Sequence, residues 1–181
     1  MNSPTRVLLT EPKNITRIMD IRTNIDANVV AIIRSPTIRR WLIREFYFIT
    51  GRLFILNNGH RTRTVASRKL APLMDDLRFA SGMVGADAEH YGGDLNDKSF
   101  PPIEYELRIV SRDASTLYRE LVRADQAIIR LYMAEFEQKI TFAQRENMIR
   151  PVLIALLAIK HHALGHEPKT AEQLAAEIQI Q

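Results

Sequence analysis

The 181 residues carry 25 Lys and Arg against 21 Asp and Glu, a formal net charge of +4, and no cysteine. The absence of cysteine excludes disulfides, thiolate zinc sites and thiol catalysis, and suits a reducing cytoplasm. An apolar fraction of 46% is that of a globular chain able to bury a core, and residues 1–13 lack the apolar stretch of a signal peptide. No apolar run approaches the roughly 20 residues that span a bilayer, so a single cytoplasmic domain without a membrane anchor is expected.

In chain order, Thr5 to Thr10 is a candidate short strand, ended by Glu11-Pro12. From Asn14, apolar residues recur at Ile15, Ile18, Ile25, Val29, Ile32 and Ile33, a spacing that predicts a helix over about 14–34. Ser35-Pro36 breaks it and starts a second helix over about 36–57, with Ser35 as N-cap and Pro36 at the first helical position. That helix buries Ile38, Trp41, Leu42, Phe46, Ile49, Leu53 and Leu56, and Asn57-Asn58-Gly59 ends it. A helix over about 67–81 follows, then a long surface loop over 84–101 rich in Gly, Asp and Asn.

Ile103-Glu-Tyr-Glu-Leu-Arg-Ile109 alternates apolar and charged residues strictly, which predicts a half-buried strand. Ser111 or Asp113 caps a long helix over about 113–138, whose apolar positions cover more than one face. Another helix begins near Phe142, is punctuated by Pro151 and ends at Gly165. Thr170 with Gln173 has capping-box spacing for a last helix to about Ile178. The fold class expected is mainly α with a minor β part. Its parts are a basic helical portion (1–83), the loop (84–101), and a strand with helices (102–181).

Charge is uneven along this chain. Residues 1–83 hold 14 basic and 6 acidic residues, net +8, whereas 84–181 hold 11 and 15, net −4. The concentration is greatest from Arg34 to Lys69, where Arg34, Arg39, Arg40, Arg44, Arg52, Arg61, Arg63, Arg68 and Lys69 face one acid, Glu45. Such clustering is the footprint of a phosphate-binding surface. Arg40, Arg44 and Arg52 share one helical face, a row able to follow a phosphate backbone; long arginines also solvate a helix by lying over apolar neighbours. His60 to Lys69 mixes guanidinium and hydroxyl groups, both donors to phosphate oxygens, without the aromatic residues of a single-strand stacking platform.

No catalytic motif competes with this footprint. There is no Walker A loop, GxGxxG or GxSxG, and Asp75-Asp76, Glu135 and Glu137 lack a paired-acid or EF-hand context. His161, His162 and His166 sit at a helix C-terminus, where they complement the dipole, and no HExxH pattern completes a metal site. Neither an enzyme nor a cofactor is expected.

The block 103–110 (Ile-Glu-Tyr-Glu-Leu-Arg-Ile-Val), then Leu117-Tyr118-Arg119-Glu120-Leu121-Val122-Arg123-Ala124-Asp125 and Ile128-Ile129-Arg130-Leu131, resembles the AcaB-like family of conjugative plasmids and integrating conjugative elements. The likeness covers about residues 100–165: a strand followed by a Tyr-bearing helix with an Ala-Asp step. It implies a regulator of transfer genes with a ribbon–helix–helix dimer core that binds double-stranded DNA as a homodimer. On that reading the 103–109 strand pairs with its copy in a second chain, with Thr5–Thr10 as the other ribbon candidate. Tyr105, Leu107, Ile109, Leu117 and Leu121 then form the dimer interface and Arg108 reads bases. Arg40, Arg44, Arg61, Arg63, Arg68 and Lys69 hold phosphates. A departure is that Glu104 and Glu106 share the outward face with Arg108. The rival reading is a structural or assembly protein of a conjugation system, acting through protein contacts; a nucleic-acid-processing enzyme ranks third.

Overall fold

Four of the seven residues from Ala27 to Ile33 are β-branched, and in the computed structural model, which describes residues 14–58, 63–95 and 98–179, they form a strand, β1 (Ala27–Ile33). The helix expected over 14–34 is corrected: only one turn, α1 (Thr16–Met19), is helical. β1 pairs antiparallel with β2 (Ile103–Ile109), Ala27 opposite Ile109 and Ile33 opposite Ile103. Val29, Ala31 and Ile33 turn inward with Tyr105, Leu107 and Ile109, while Val30 and Ile32 point outward. Apolar residues on both faces mask the period of two, so the sequence fits a helix equally well.

Five longer helices follow among the described residues. Ser35 caps α2 (Pro36–Asn58), its Oγ accepting from Ile38 N–H at 3.3 Å, with Pro36 at the first helical position as expected. α3 (Arg63–Tyr91) is far longer than the helix expected over 67–81, and residues 84–91, read as loop, are its last turns. Gly82 and Gly85 each cost a helix about 1 kcal/mol relative to alanine. Burial of Leu77, Ala80, Val84 and Ala88 along the same helix outweighs that cost.

α4 (Arg112–Phe136) is capped by Ser111, whose Oγ accepts from Ala114 N–H at 3.1 Å. α5 (Phe142–Ala163) opens with a reciprocal Thr141–Gln144 capping box and runs through Pro151, which does not interrupt it. Beyond its end Gly165 takes φ +73°, the left-handed conformation that glycine permits. α6 (Ala171–Gln179) starts with the expected Thr170–Gln173 box: Thr170 N–H donates to Gln173 Oε1 at 2.9 Å and Gln173 N–H to Thr170 Oγ1 at 3.3 Å.

α3 packs against α4 and α5, α2 crosses all three, and the two-stranded sheet lays its inner face on the same contiguous core. The fold is mainly helical with a small antiparallel sheet. Among the described residues no helix is long and apolar enough to cross a membrane.

The sheet corrects the expected partner of β2. One edge of β2 is paired with β1; on the other, Arg108 N–H donates to Tyr47 Oη of α2 at 3.1 Å. The Thr5–Thr10 segment lies outside the described residues. Leu107, Leu117 and Leu121 are fully buried, and Tyr105 and Ile109 nearly so, inside the core of the single chain. They are core residues rather than a surface for a second copy, because β1 and α2 supply the cover that the sequence reading assigned to another chain.

Candidate nucleic-acid interface

The polar face of α2 is set by its apolar one. Ile38, Leu42, Phe46, Ile49 and Leu53 enter the core at helical spacing, which leaves Arg40 and Arg44, one turn apart, exposed to solvent. Arg39 and Arg52 are half-buried. Glu45, the one acid between Arg34 and Lys69, accepts from Lys160 Nζ of α5 at 2.9 Å. Its charge is thereby compensated by a different helix. Arg40 and Arg44 form no ion pair among the described residues, so their positive field reaches solvent uncancelled.

Arg61 lies outside the described residues, and Arg63 and Arg68 belong to the first turns of α3, which begins earlier than the helix expected from about 67. Lys69 is exposed on α3 and borders a cleft of about 360 Å³ between α3, α5 and α6 that also includes Lys169 and His161. In that cleft His161 Nδ1 lies 2.8 Å from His166 Nδ1, and His161 Nε2 lies 2.9 Å from Glu177 Oε2. Glu177 also bonds Lys169, and Lys169 and His161 together hold its carboxyl below the usual value. These histidines join α5 to α6. Among the described residues no group of three His, Asp or Glu side chains is placed to hold a metal ion.

Arg108 is not at a base-reading position. Its guanidinium donates to both carboxylate oxygens of Asp26, at 2.8 and 2.7 Å, and to the carbonyls of Ile18, Met19 and Ile21 at 2.6, 3.1 and 2.9 Å. That hydrogen bonding holds the Asp26 carboxyl below its ordinary value and raises Arg108. Every face of the fork is occupied, and its work is to clasp α1 and the following turn to the sheet. Beside it Glu106 is exposed and opposes Val30, so the outer face of β2 offers carboxylate rather than free guanidinium.

Two features escaped the sequence reading. Asp125, read only as half of an Ala-Asp step, is a buried carboxylate that caps the β1–α2 junction. A groove along β1, walled by α3 and α4, depends on a strand that the periodicity concealed. A buried acid whose acceptors meet backbone N–H groups 90 residues away leaves no local signal. In comparisons with known proteins, no family model, no curated protein and no solved structure matches this chain.

Proposed function

We propose that this chain binds double-stranded DNA and regulates conjugative transfer genes, holding the phosphate backbone with the exposed face of α2. One observation carries the reading: Arg40 and Arg44 stand one turn apart on an outer helical face, without an acid partner among the described residues, in the most basic segment of the chain. Guanidiniums in such a row suit successive phosphate oxygens. The resemblance of residues 100–165 to AcaB-like regulators supplies the regulatory half of the proposal, and with it a homodimer on a palindromic site. A ribbon–helix–helix-like core belongs to the same proposal. β2 followed by α4 keeps its strand–helix order, with β1 standing where the resemblance puts a second chain's strand.

The test is fluorescence anisotropy with promoter fragments of a conjugative element and with random duplex across a salt series. Saturable binding with a steep salt dependence, tighter on the promoter, supports the proposal. Binding to neither duplex at low salt overturns it. The rival reading, an assembly protein acting through protein contacts, is favoured by the exposed apolar side chains of Val30, Ile32 and Leu95, and it gains if DNA is not bound.

A further inference from the structure

Among the described residues, one edge of β1 has no strand beside it. Because Arg108 N–H bonds Tyr47, the Asn28–Arg108 pair is a non-hydrogen-bonded one, and the alternation of an antiparallel ladder makes Val30–Glu106 and Ile32–Glu104 the same. The backbone N–H and C=O of Asn28, Val30 and Ile32 therefore point away from β2. Two contacts at this edge fit that assignment: Tyr118 Oη donates to Val30 O over a long 3.4 Å, and Arg34 N–H, next in the alternation, donates to Asp125 Oδ2 at 2.9 Å. The second closes one end of the edge. The amides of Val30 and Ile32 meet no acceptor among the described residues.

Beside this edge runs a groove of about 780 Å³ between α3 and α4. Its α3 wall is cut back: a Cβ added at Gly82 or Gly85 meets nothing within 4 Å. Ser81 on the same wall is 1% exposed, and its Oγ has no hydrogen-bond partner. Val30 and Ile32, 51% and 52% exposed, give the groove apolar surface beside Tyr118 and Val122 of α4. Arg34, Arg123 and Arg130 line it against one exposed carboxylate, Glu89, since the Asp125 carboxylate is engaged by the β1–α2 backbone; Arg123 also lies 3.6 Å from Glu120, a contact that leaves its side chain 58% exposed.

We propose that this groove takes an extended segment of a partner protein, added as a third strand on the open edge of β1, with alternating apolar and acidic side chains. Unsatisfied amide and carbonyl groups repeating every second residue are matched by another extended backbone. The small wall at Gly82 and Gly85 admits the apolar side chains of one strand face, and the guanidiniums of Arg123 and Arg130 receive the carboxylates of the other. The incoming strand takes Val30 O from Tyr118, whose long bond is easily exchanged. Asp125 stops the pairing at Ile32. None of these groups lies on the Arg40–Arg44 face, so the inference stands apart from the DNA-binding reading.

The experiment uses the full chain and an end-capped, fluorescein-labelled nonapeptide of alternating valine and glutamate, followed by anisotropy. The expected result is saturable binding that slows hydrogen exchange at the Val30 and Ile32 amides. Gly85→Leu fills the groove where there is room for it and weakens binding at least about tenfold, while the circular dichroism melt is not lowered, since leucine removes the helix cost of glycine. N-methylation of alternate peptide amides has the same effect, and replacing glutamate by lysine weakens binding. Absent binding, or equal binding by Gly85→Leu or by the N-methylated peptide, overturns the proposal. So do Val30 and Ile32 amides already protected in a dimer of the free chain, since a second copy would then occupy the edge.

Discussion

Asp125 and Ser35, 90 residues apart, are joined by two hydrogen bonds: Asp125 Oδ1 accepts from Ser35 N–H at 2.8 Å and from Ser35 Oγ at 2.6 Å. Asp125 Oδ2 takes Arg34 N–H, and Ser35 Oγ in turn accepts from Ile38 N–H, so one carboxylate on α4 fixes both the end of β1 and the cap of α2. Burial pushes the Asp125 carboxyl up, and its hydrogen bonds to Ser35 and Arg34 pull against that. Asp125→Ala strands two backbone donors and a hydroxyl in a dry junction and is expected to destabilise the fold by about 3 kcal/mol. Urea unfolding followed by circular dichroism measures this. An unchanged midpoint would show that water replaces the carboxylate at no cost.

The same junction places Arg40 and Arg44 one turn along α2 on its exposed side. The double variant Arg40→Ala, Arg44→Ala is expected to melt as the parent does, since neither side chain is buried. Its DNA affinity should fall, and the slope of log K against log salt should flatten by about two units, near 0.9 for each lost phosphate contact. A parental slope in this variant would mark the row as a solvated helix face.

Most element positions were legible because their signals are local. Ser35-Pro36, Ser111 and Thr170–Gln173 are capping chemistry written in nearby residues, and β2 alternates without a break. β1 was not legible. Its buried Ala31 and Ile33 alternate with Val30 and Ile32, which are apolar yet exposed, so the pattern carried no polar face to reveal a strand. The extent of α3 was hidden for another reason: Gly85 falls in the glycine-rich stretch 84–101 read as loop, although packing against α4 and α5 decides. Of the candidate site, the exposure of Arg40 and Arg44 followed from spacing. The role of Arg108 did not, because its partner Asp26 is 82 residues away in sequence.

Leu107 tests the corrected pairing of β2. It is fully buried opposite Val29 in the sheet and against the helices of the same chain. Leu107→Asp is therefore expected to unfold the protein, because an unpaired carboxylate in that core costs several kcal/mol. The measurement is circular dichroism together with light scattering at several concentrations. A folded, soluble monomer bearing this substitution would return Leu107 to an interface between copies.

The Asp26–Arg108 clasp has a defined pH signature. Its hydrogen bond to Arg108 holds the Asp26 carboxyl below the ordinary 3.8, so the ionised form is favoured in the folded state over the unfolded one. A depressed acid contributes stability that is present in full above its unfolded value and is lost as pH falls through its folded value. Subtracting the melting temperatures of Asp26→Asn from those of the parent cancels the other titrating groups, including Asp113 and Asp125, which burial moves in the opposite direction. The difference is expected to be constant at neutral pH, to shrink below about pH 4 and to vanish in stronger acid. Both carboxylate and guanidinium reach solvent, so added salt reduces it as well. Arg108→Ala removes the same bonds together with those to Ile18, Met19 and Ile21. It should lower the melting temperature further and speed hydrogen exchange across residues 16–26. DNA affinity and salt slope should stay at parental values, since the guanidinium is already fully engaged within the chain. A loss of DNA discrimination without a loss of stability in Arg108→Ala would reverse this assignment and restore Arg108 to the surface that reads bases.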